Sequence, residues 1–453
     1  MDKYNELRSL YDEFIYESYD IVDNVDSYKI IYNFEIKGLT KFNPTIEISK
    51  KYLNEFDDNI NNLIFHIGLV ELISYWKCSC PKNVIIKCGY INEEQIKFFK
   101  KLYYYGLGEF FYVNKIDTTI DDFMNITVLC DKKEIKKSTR KLDGCLIPIG
   151  GGKDSCVSLE ILSGYNNKCF MINPKSPMLE CAKIKGYEID DIASIKRTID
   201  KKLIELNSLG YLNGHTPFSA YVAFSSYLMA YLTGKKYITL SNEGSANEST
   251  VIGTKINHQY SKTYEFESDF NNYTKKFFDI DIMYFSFLRP LSELQIAMLF
   301  SQYKKFHKVF KSCNVGSKSI PWTWCCNCAK CMFVYIILSP FLNKDELVEI
   351  FKEDLYDKES LLNYFIELTG NSLTKPFECV GTTREVRFCI SYVIKKLISE
   401  NKKLPYLLNY YYENYELSDT SVDILEEFNL ENNLPEEFTY MLKEELEKCI
   451  TKL

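Results

Sequence analysis

A doubly wound parallel α/β sheet, preceded by an α+β domain and followed by a helical region, is the fold class this sequence predicts. Three observations carry it. From residue 141 to about 345, short apolar runs alternate with helix-length stretches, the order of strand–helix–strand units. Three successive glycines, Gly150, Gly151 and Gly152, join one apolar run to a helical stretch, as a strand-to-helix turn does. The flanks read differently: residues 1–140 mix strand and helix patterns, whereas 346–453 is helical and charged.

Taken in order, "SYKIIYNFEI" and "KNVIIKC" have strand character, and "NLIFHIGLVELISYW" and "NEEQIKFFKKLYYYG" have helical length and spacing. "GCLIPI" is a short continuous apolar run, the mark of a strand buried on both faces of a parallel sheet. After the glycines, Val157, Leu159, Ile161 and Leu162 suit a buried helix with Ser155 near its first turn. "KCFMINP" and "KYITLS" continue the strands, and "AYVAFSSYLMAYLTG" supplies a helix between them. "DELVEIFKEDL" and "EEFTYMLKEELEKCI" belong to the helical end. No internal repeat or low-complexity linker interrupts the chain.

Composition narrows the function. The chain has 453 residues with 46% hydrophobic and 15% aromatic content, enough for two or three domains with a large core. A net charge of -7 gives no global attraction to nucleic acid or to an anionic membrane. No apolar run reaches the roughly 20 residues that span a bilayer. The start, "MDKYNELRSLYDEF", lacks the apolar core of a secretory signal, which points to the cytoplasm. Sixteen cysteines then imply a reducing compartment, where clustered thiols mean metal or chemistry. Nothing in the pattern sets an oligomeric state.

The strand, glycine turn and helix together make an anion site: bare backbone approaches closely, and a helix N-terminus presents free N–H groups. A Walker loop is excluded, since Ile147 stands where its first glycine belongs and Asp154 follows Lys153. The dinucleotide fingerprint is excluded because Ser155 holds its third glycine position. An ordinary structural turn is the plain alternative. Farther on, Cys325, Cys328 and Cys331 step by three, and Cys313 lies upstream across Gly316 and Pro321. Such spacing can close a tetrahedral Zn²⁺ site, with Cys326 as a substitute ligand or spare thiol; a cysteine-rich helix start without metal is the other reading. Glu243 and Glu248 follow the strand Tyr237–Leu240, at the carboxyl end where such sheets bind ligands. His215, before Pro217, and Arg289, before Pro290, stand at expected helix starts and are candidates to face phosphate; a cap, loop or exposed surface role is the alternative.

Gly151, Gly152, Lys153, Asp154 and Ser155 resemble the pyrophosphate loop Ser-Gly-Gly-x-Asp-Ser of the ATP pyrophosphatases, with Gly150 in place of its first serine. The resemblance implies ATP cleaved between its α and β phosphates, with the Gly150–Gly152 amides and Ser155 on the β and γ phosphates and Asp154 on Mg²⁺. "HIGLVELISYWK", "GLGEFFYVNKI", "SNEGSANEST", "CNCAKCMFVYIILSPF" and "KPFECVGTTRE" extend the likeness from about residue 60 to 385. They resemble the UDP-N-acetylmuramoyl-L-alanyl-L-glutamate epimerases of peptidoglycan synthesis. That family implies adenylation of the terminal L-glutamate carboxylate of a UDP-muramoyl dipeptide, inversion at its α-carbon, and release of AMP and the D-glutamyl product. Asp154 would act with the phosphates, and Glu243, Cys379 and Glu385 are the candidates for proton transfer. Two rivals share the features: another adenylating enzyme, such as a nucleobase or tRNA modifier related to cyanodeazaguanine synthase, and a non-catalytic zinc-stabilised binding protein.

Overall fold

The structure is a computed structural model that describes residues 2–53, 55–247, 257–372 and 375–451. Glu248 lies outside the described residues. Eleven strands among the described residues form one sheet: β1 (Glu13–Asp23), β2 (Ser27–Ile36), β3 (Thr40–Phe42), β4 (Thr45–Ser49), β5 (Asn83–Ile86), β6 (Asn125–Val128), β7 (Cys145–Pro148), β8 (Asn167–Ile172), β9 (Ala193–Thr198), β10 (Tyr237–Leu240) and β11 (Met283–Ser286). Their order is β11-β10-β7-β8-β9-β4-β2-β1-β5-β6, with β3 also paired to β2.

The sheet is mixed and largely parallel. β11, β10, β7, β8 and β9 form a parallel block. From β9 the pairing turns antiparallel through β4, β2 and β1, then parallel again through β5 and β6. The strands of 141–345 are parallel to one another, as expected; the antiparallel stretch comes from β1, β2 and β4 of the N-terminal region joining the same sheet, and its cause is local. β1 and β2 are joined by a tight turn in which Asn24 N–H donates to Ser27 O at 2.9 Å, too short for a parallel crossover.

Within the parallel block the chain runs outward from β7 to β8 and β9, then returns to β10 and β11 on the other side. The reversal falls between β7 and β10, the place where open α/β sheets leave a crevice at their carboxyl ends. Strand β7 buries both faces, as its apolar run predicts. Leu146 packs into one apolar layer, and Cys145 and Ile147 into the other. In the first layer, helix Asp58–Trp76 is buried along almost its whole circumference and packs against helix Phe218–Thr233. Its one buried carboxylate, Glu71, makes a bidentate pair with Arg197 of β9 at 2.8 and 2.9 Å. In the second layer, helix Glu436–Ile450 packs on helices Lys153–Ile161 and Glu293–Gln302, so the C-terminal end braces the helix that follows the glycine turn.

Candidate active site

The glycine turn starts where β7 ends, and two of its three glycines have a steric reason to be small. Gly151 takes φ +82°, and a Cβ there would stand 3.2 Å from Met178 N. A Cβ on Gly152 would meet Ser312 Oγ at 2.7 Å, whereas Gly150 has nothing within 4 Å. Lys311 N–H donates to Gly151 O at 2.8 Å and fixes the turn from outside. Gly152 then caps helix Lys153–Ile161 without any side-chain capping bond. The first amides of that helix are left for a ligand rather than a cap. The Ser155 hydroxyl donates to Gly152 O at 2.9 Å.

These residues line a cavity of about 370 Å³ at the β7/β10 crevice. Gly150, Gly152, Asp154 and Ser155 of the turn line it together with Glu243, Lys262, Lys330 and Cys379, and with Lys311 and Trp322. Lys153 does not face this space. Its ammonium is buried between the carboxylates of Asp154 and Glu293. Burial would strip its proton, but Asp154 and Glu293 outweigh that and push its pKa upward. Asp154 moves the other way: burial raises it, and Lys153 followed by Lys330 brings it below its ordinary value. The lysines that line the cavity thus favour the anionic form of Asp154.

The structure thus brings together the loop, Asp154, Glu243 and Cys379. It sets three other sequence candidates apart. Glu385 closes a capping box, accepting from Thr382 N at 2.8 Å, and its other oxygen accepts from Leu294 N at 3.0 Å. Arg289 is fully buried, with Nη2 held by Glu267 at 3.1 Å and Ser286 Oγ at 3.1 Å. His215 lies beside Glu109 and His258, its Nδ1 3.7 Å from the Glu109 carboxylate and its ring 4.2 Å from the His258 ring. Burial and then His258 bring its pKa down to about 4, so it is a neutral imidazole.

The Sγ atoms of Cys313, Cys325, Cys328 and Cys331 lie within 4.8 Å of one another. Cys313 and Cys328 are separated by 3.9 Å and Cys325 and Cys331 by 3.7 Å. A tetrahedral Zn²⁺ with bonds of about 2.3 Å spaces its sulfurs by about 3.8 Å, so the donor set fits. Backbone N–H groups of Gly316 and Asn327 point at Cys313 and Cys325 at 3.1 and 3.5 Å, as outer-shell donors to thiolates do. Cys326 is turned away and donates to Phe351 O at 3.1 Å. The cysteine loop also carries Asn314, Trp322 and Lys330 to the cavity. For Mg²⁺ the fit is simpler: Asp154, Glu243 and Glu293 are the carboxylates lining the cavity, and with Glu293 engaged by Lys153 the first two suit a cation held by one or two carboxylates and by phosphate.

Sequence reading missed the cations. Lys330 carried a signal, a charged residue inside "CNCAKC" at the first turn of an otherwise apolar helix. Lys262, Glu109 and His258 carried none, because only the fold brings them to Cys379.

A model described as the MurL N-terminal domain matches residues 5–287, and one described as the MurL C-terminal domain matches residues 309–413. Three curated proteins are similar, each named UDP-N-acetyl-alpha-D-muramoyl-L-alanyl-L-glutamate epimerase. That of Xanthomonas oryzae pv. oryzae is 34% identical over 71% of this chain and 72% of its own. Those of Micromonospora sp. and Salinispora tropica are 32% and 31% identical, each over 70% of this chain and over 72% and 70% of their own. No solved structure matches.

Proposed function

The chain belongs to the MurL epimerase family and is an isomerase, and from that premise we propose that it inverts the terminal L-glutamate of UDP-MurNAc-L-Ala-L-Glu at the expense of ATP. Its place is in the cytoplasmic assembly of peptidoglycan precursors, and its parallel block is of the pyrophosphate-loop ATPase type. The observation that carries the ATP step is the cavity itself, lined by an uncapped helix start, by Asp154 and by Lys262, Lys311 and Lys330.

The chemistry explains why a nucleotide is needed. A free carboxylate next to the α-carbon opposes removal of its proton, because the carbanion would form beside an anion. Transfer of AMP to that carboxylate removes the charge and lets the electron pair run into the acyl carbonyl. The Gly150–Gly152 amides and Ser155 hold the departing phosphates, and Asp154 with Glu243 would hold Mg²⁺ against them. A bound Mg²⁺ supplies charge neutralisation on the pyrophosphate. Lys262 and Lys330 stabilise negative charge developing on the acyl oxygen side. Hydrolysis then releases AMP and the D-glutamyl product, so ATP breakdown sets the direction. The four cysteines with Zn²⁺ hold the loop that delivers Lys330.

The test is an assay of the full chain with ATP, Mg²⁺ and UDP-MurNAc-L-Ala-L-Glu. AMP appears in step with D-glutamate on chiral analysis. Inversion without AMP, or AMP formation with a tRNA but not with the dipeptide, refutes the reading.

A further inference from the structure

Behind the cavity, in a cluster the adenylation chemistry does not use, Cys379 meets His258 and Glu109. The His258 ring lies beside the Cys379 thiol, and its Nδ1 hydrogen-bonds the Glu109 carboxylate. Lys262 Nζ stands 3.1 Å from Cys379 Sγ, and Lys330 holds the Cys379 carbonyl. Cys379 itself lines the same cavity as Asp154 and Gly150. The row thiol–imidazole–carboxylate is the arrangement that makes a base of a weak acid.

We propose that Cys379 is the catalytic base that takes the glutamate α-proton, and that His258 and Glu109 are the positioning residues that hold its thiolate. This rests on the adenylation reading above. In the step, the Cα–H bond breaks, an S–H bond forms on Cys379, and the electron pair moves into the carbonyl of the acyl-adenylate. A proton from water on the opposite face of the planar enolate completes the inversion, and Cys379 returns its proton through solvent. Burial alone would push the thiol up, but Lys262, His258 and Lys330 outweigh it and bring Cys379 down to about 6. Burial alone would pull His258 down, but Cys379 and Glu109 raise it to about 9. The neutral His215 and Lys77, which burial lowers to about 8, are the further titratable groups near this row, and Asp154 and Glu243 share the cavity with Cys379. The pair is thus thiolate and imidazolium between these limits.

Glu109, His215 and His258 also have the spacing of a metal triad. Lys262 and Lys330 beside the thiol disfavour a dication there, which decides for the relay.

The experiment follows iodoacetamide labelling of Cys379 in the full chain by site-resolved mass spectrometry across pH, alongside ATP–pyrophosphate exchange and α-deuterium uptake. Labelling of the wild type rises with a midpoint near pH 6. Glu109→Gln moves that midpoint up by about one unit or more. Cys379→Ser keeps ATP–pyrophosphate exchange with the dipeptide and loses deuterium uptake by about 100-fold or more. A midpoint near the ordinary thiol value of about 8.5, or wild-type uptake by Cys379→Ser, overturns the relay. So does a divalent ion that copurifies beyond the four-cysteine cluster and is lost on His215→Ala. Failure of the wild type to exchange pyrophosphate refutes the adenylation reading instead, and the labelling profile still judges the relay.

Discussion

Gly150 stands where the pyrophosphate-loop pattern has serine, and the space around it is open. The missing hydroxyl therefore removes a contact and not a steric conflict. Gly150→Ser is expected to fold with stability within about 0.5 kcal/mol of wild type and to bind ATP at least as tightly, read by thermal melting and by KM for ATP. Gly151→Ala, at φ +82°, is expected to lose about 1 kcal/mol or more in the same melt. Asp154→Asn tests the charge: a folded protein whose AMP release falls by about 100-fold or more is expected, because in the proposed reaction the carboxylate would meet the metal and pyrophosphate. AMP release at the wild-type rate by that variant would remove the loop from the mechanism. The loop was legible because adjacent residues carry it. Arg289 was not, since a buried cation bound to Glu267 and an exposed one look alike in sequence.

At the scale of elements, the cysteine loop is the clearest case of sequence spacing becoming geometry. The three-residue steps put Cys328 at the N-cap of helix Ala329–Leu338 and Cys331 one turn below it. Zinc analysis of protein purified without chelator is expected to give about one ion per chain. Cys328→Ser is expected to lose it and to lower Tm by about 5 °C or more, because the binding energy of such a site is folding energy. Cys326→Ser, whose thiol turns to Phe351 O, is expected to keep the ion. Metal-free wild type would return the cluster to plain packing. Buried elements such as β7 and helix Asp58–Trp76 were readable from their apolar runs. The long β1 was not, because only its start is buried and its far end, Ile21 and Val22 included, is exposed. β9 escaped for a similar reason, as "ASIKRT" owes its place to Arg197 meeting Glu71.

Across the whole molecule, the proposed function has one cavity serve two reactions in sequence, and the order is testable. The phosphate loop comes from the sheet's carboxyl edge, and Cys379 arrives from the segment before helix Thr383–Ser399. If activation precedes proton removal, solvent deuterium enters the glutamate α-carbon only with hydrolysable ATP. An analogue that cannot break between its α and β phosphates is expected to block exchange and inversion alike, because each 1.4 kcal/mol left in the barrier costs about tenfold in rate. Incorporation without nucleotide would contradict this order. Sequence located the two ends of that cavity separately but not their meeting, which depends on pairings between distant strands.

The antiparallel contact of β4 with β9 has a consequence during synthesis. Thr45 of β4 pairs with Thr198 of β9. Translation at about 5–20 residues per second leaves roughly ten to thirty seconds between the emergence of these two strands from the ribosome. Through that interval the nascent β1–β4 meander carries an open edge whose Ile46 and Ile48 are destined for the core. Unpaired edges of this kind recruit other strands, including those of neighbouring nascent chains. The interval is thus the period in which a trigger-type chaperone has most to protect, and slow codons before β9 would lengthen it.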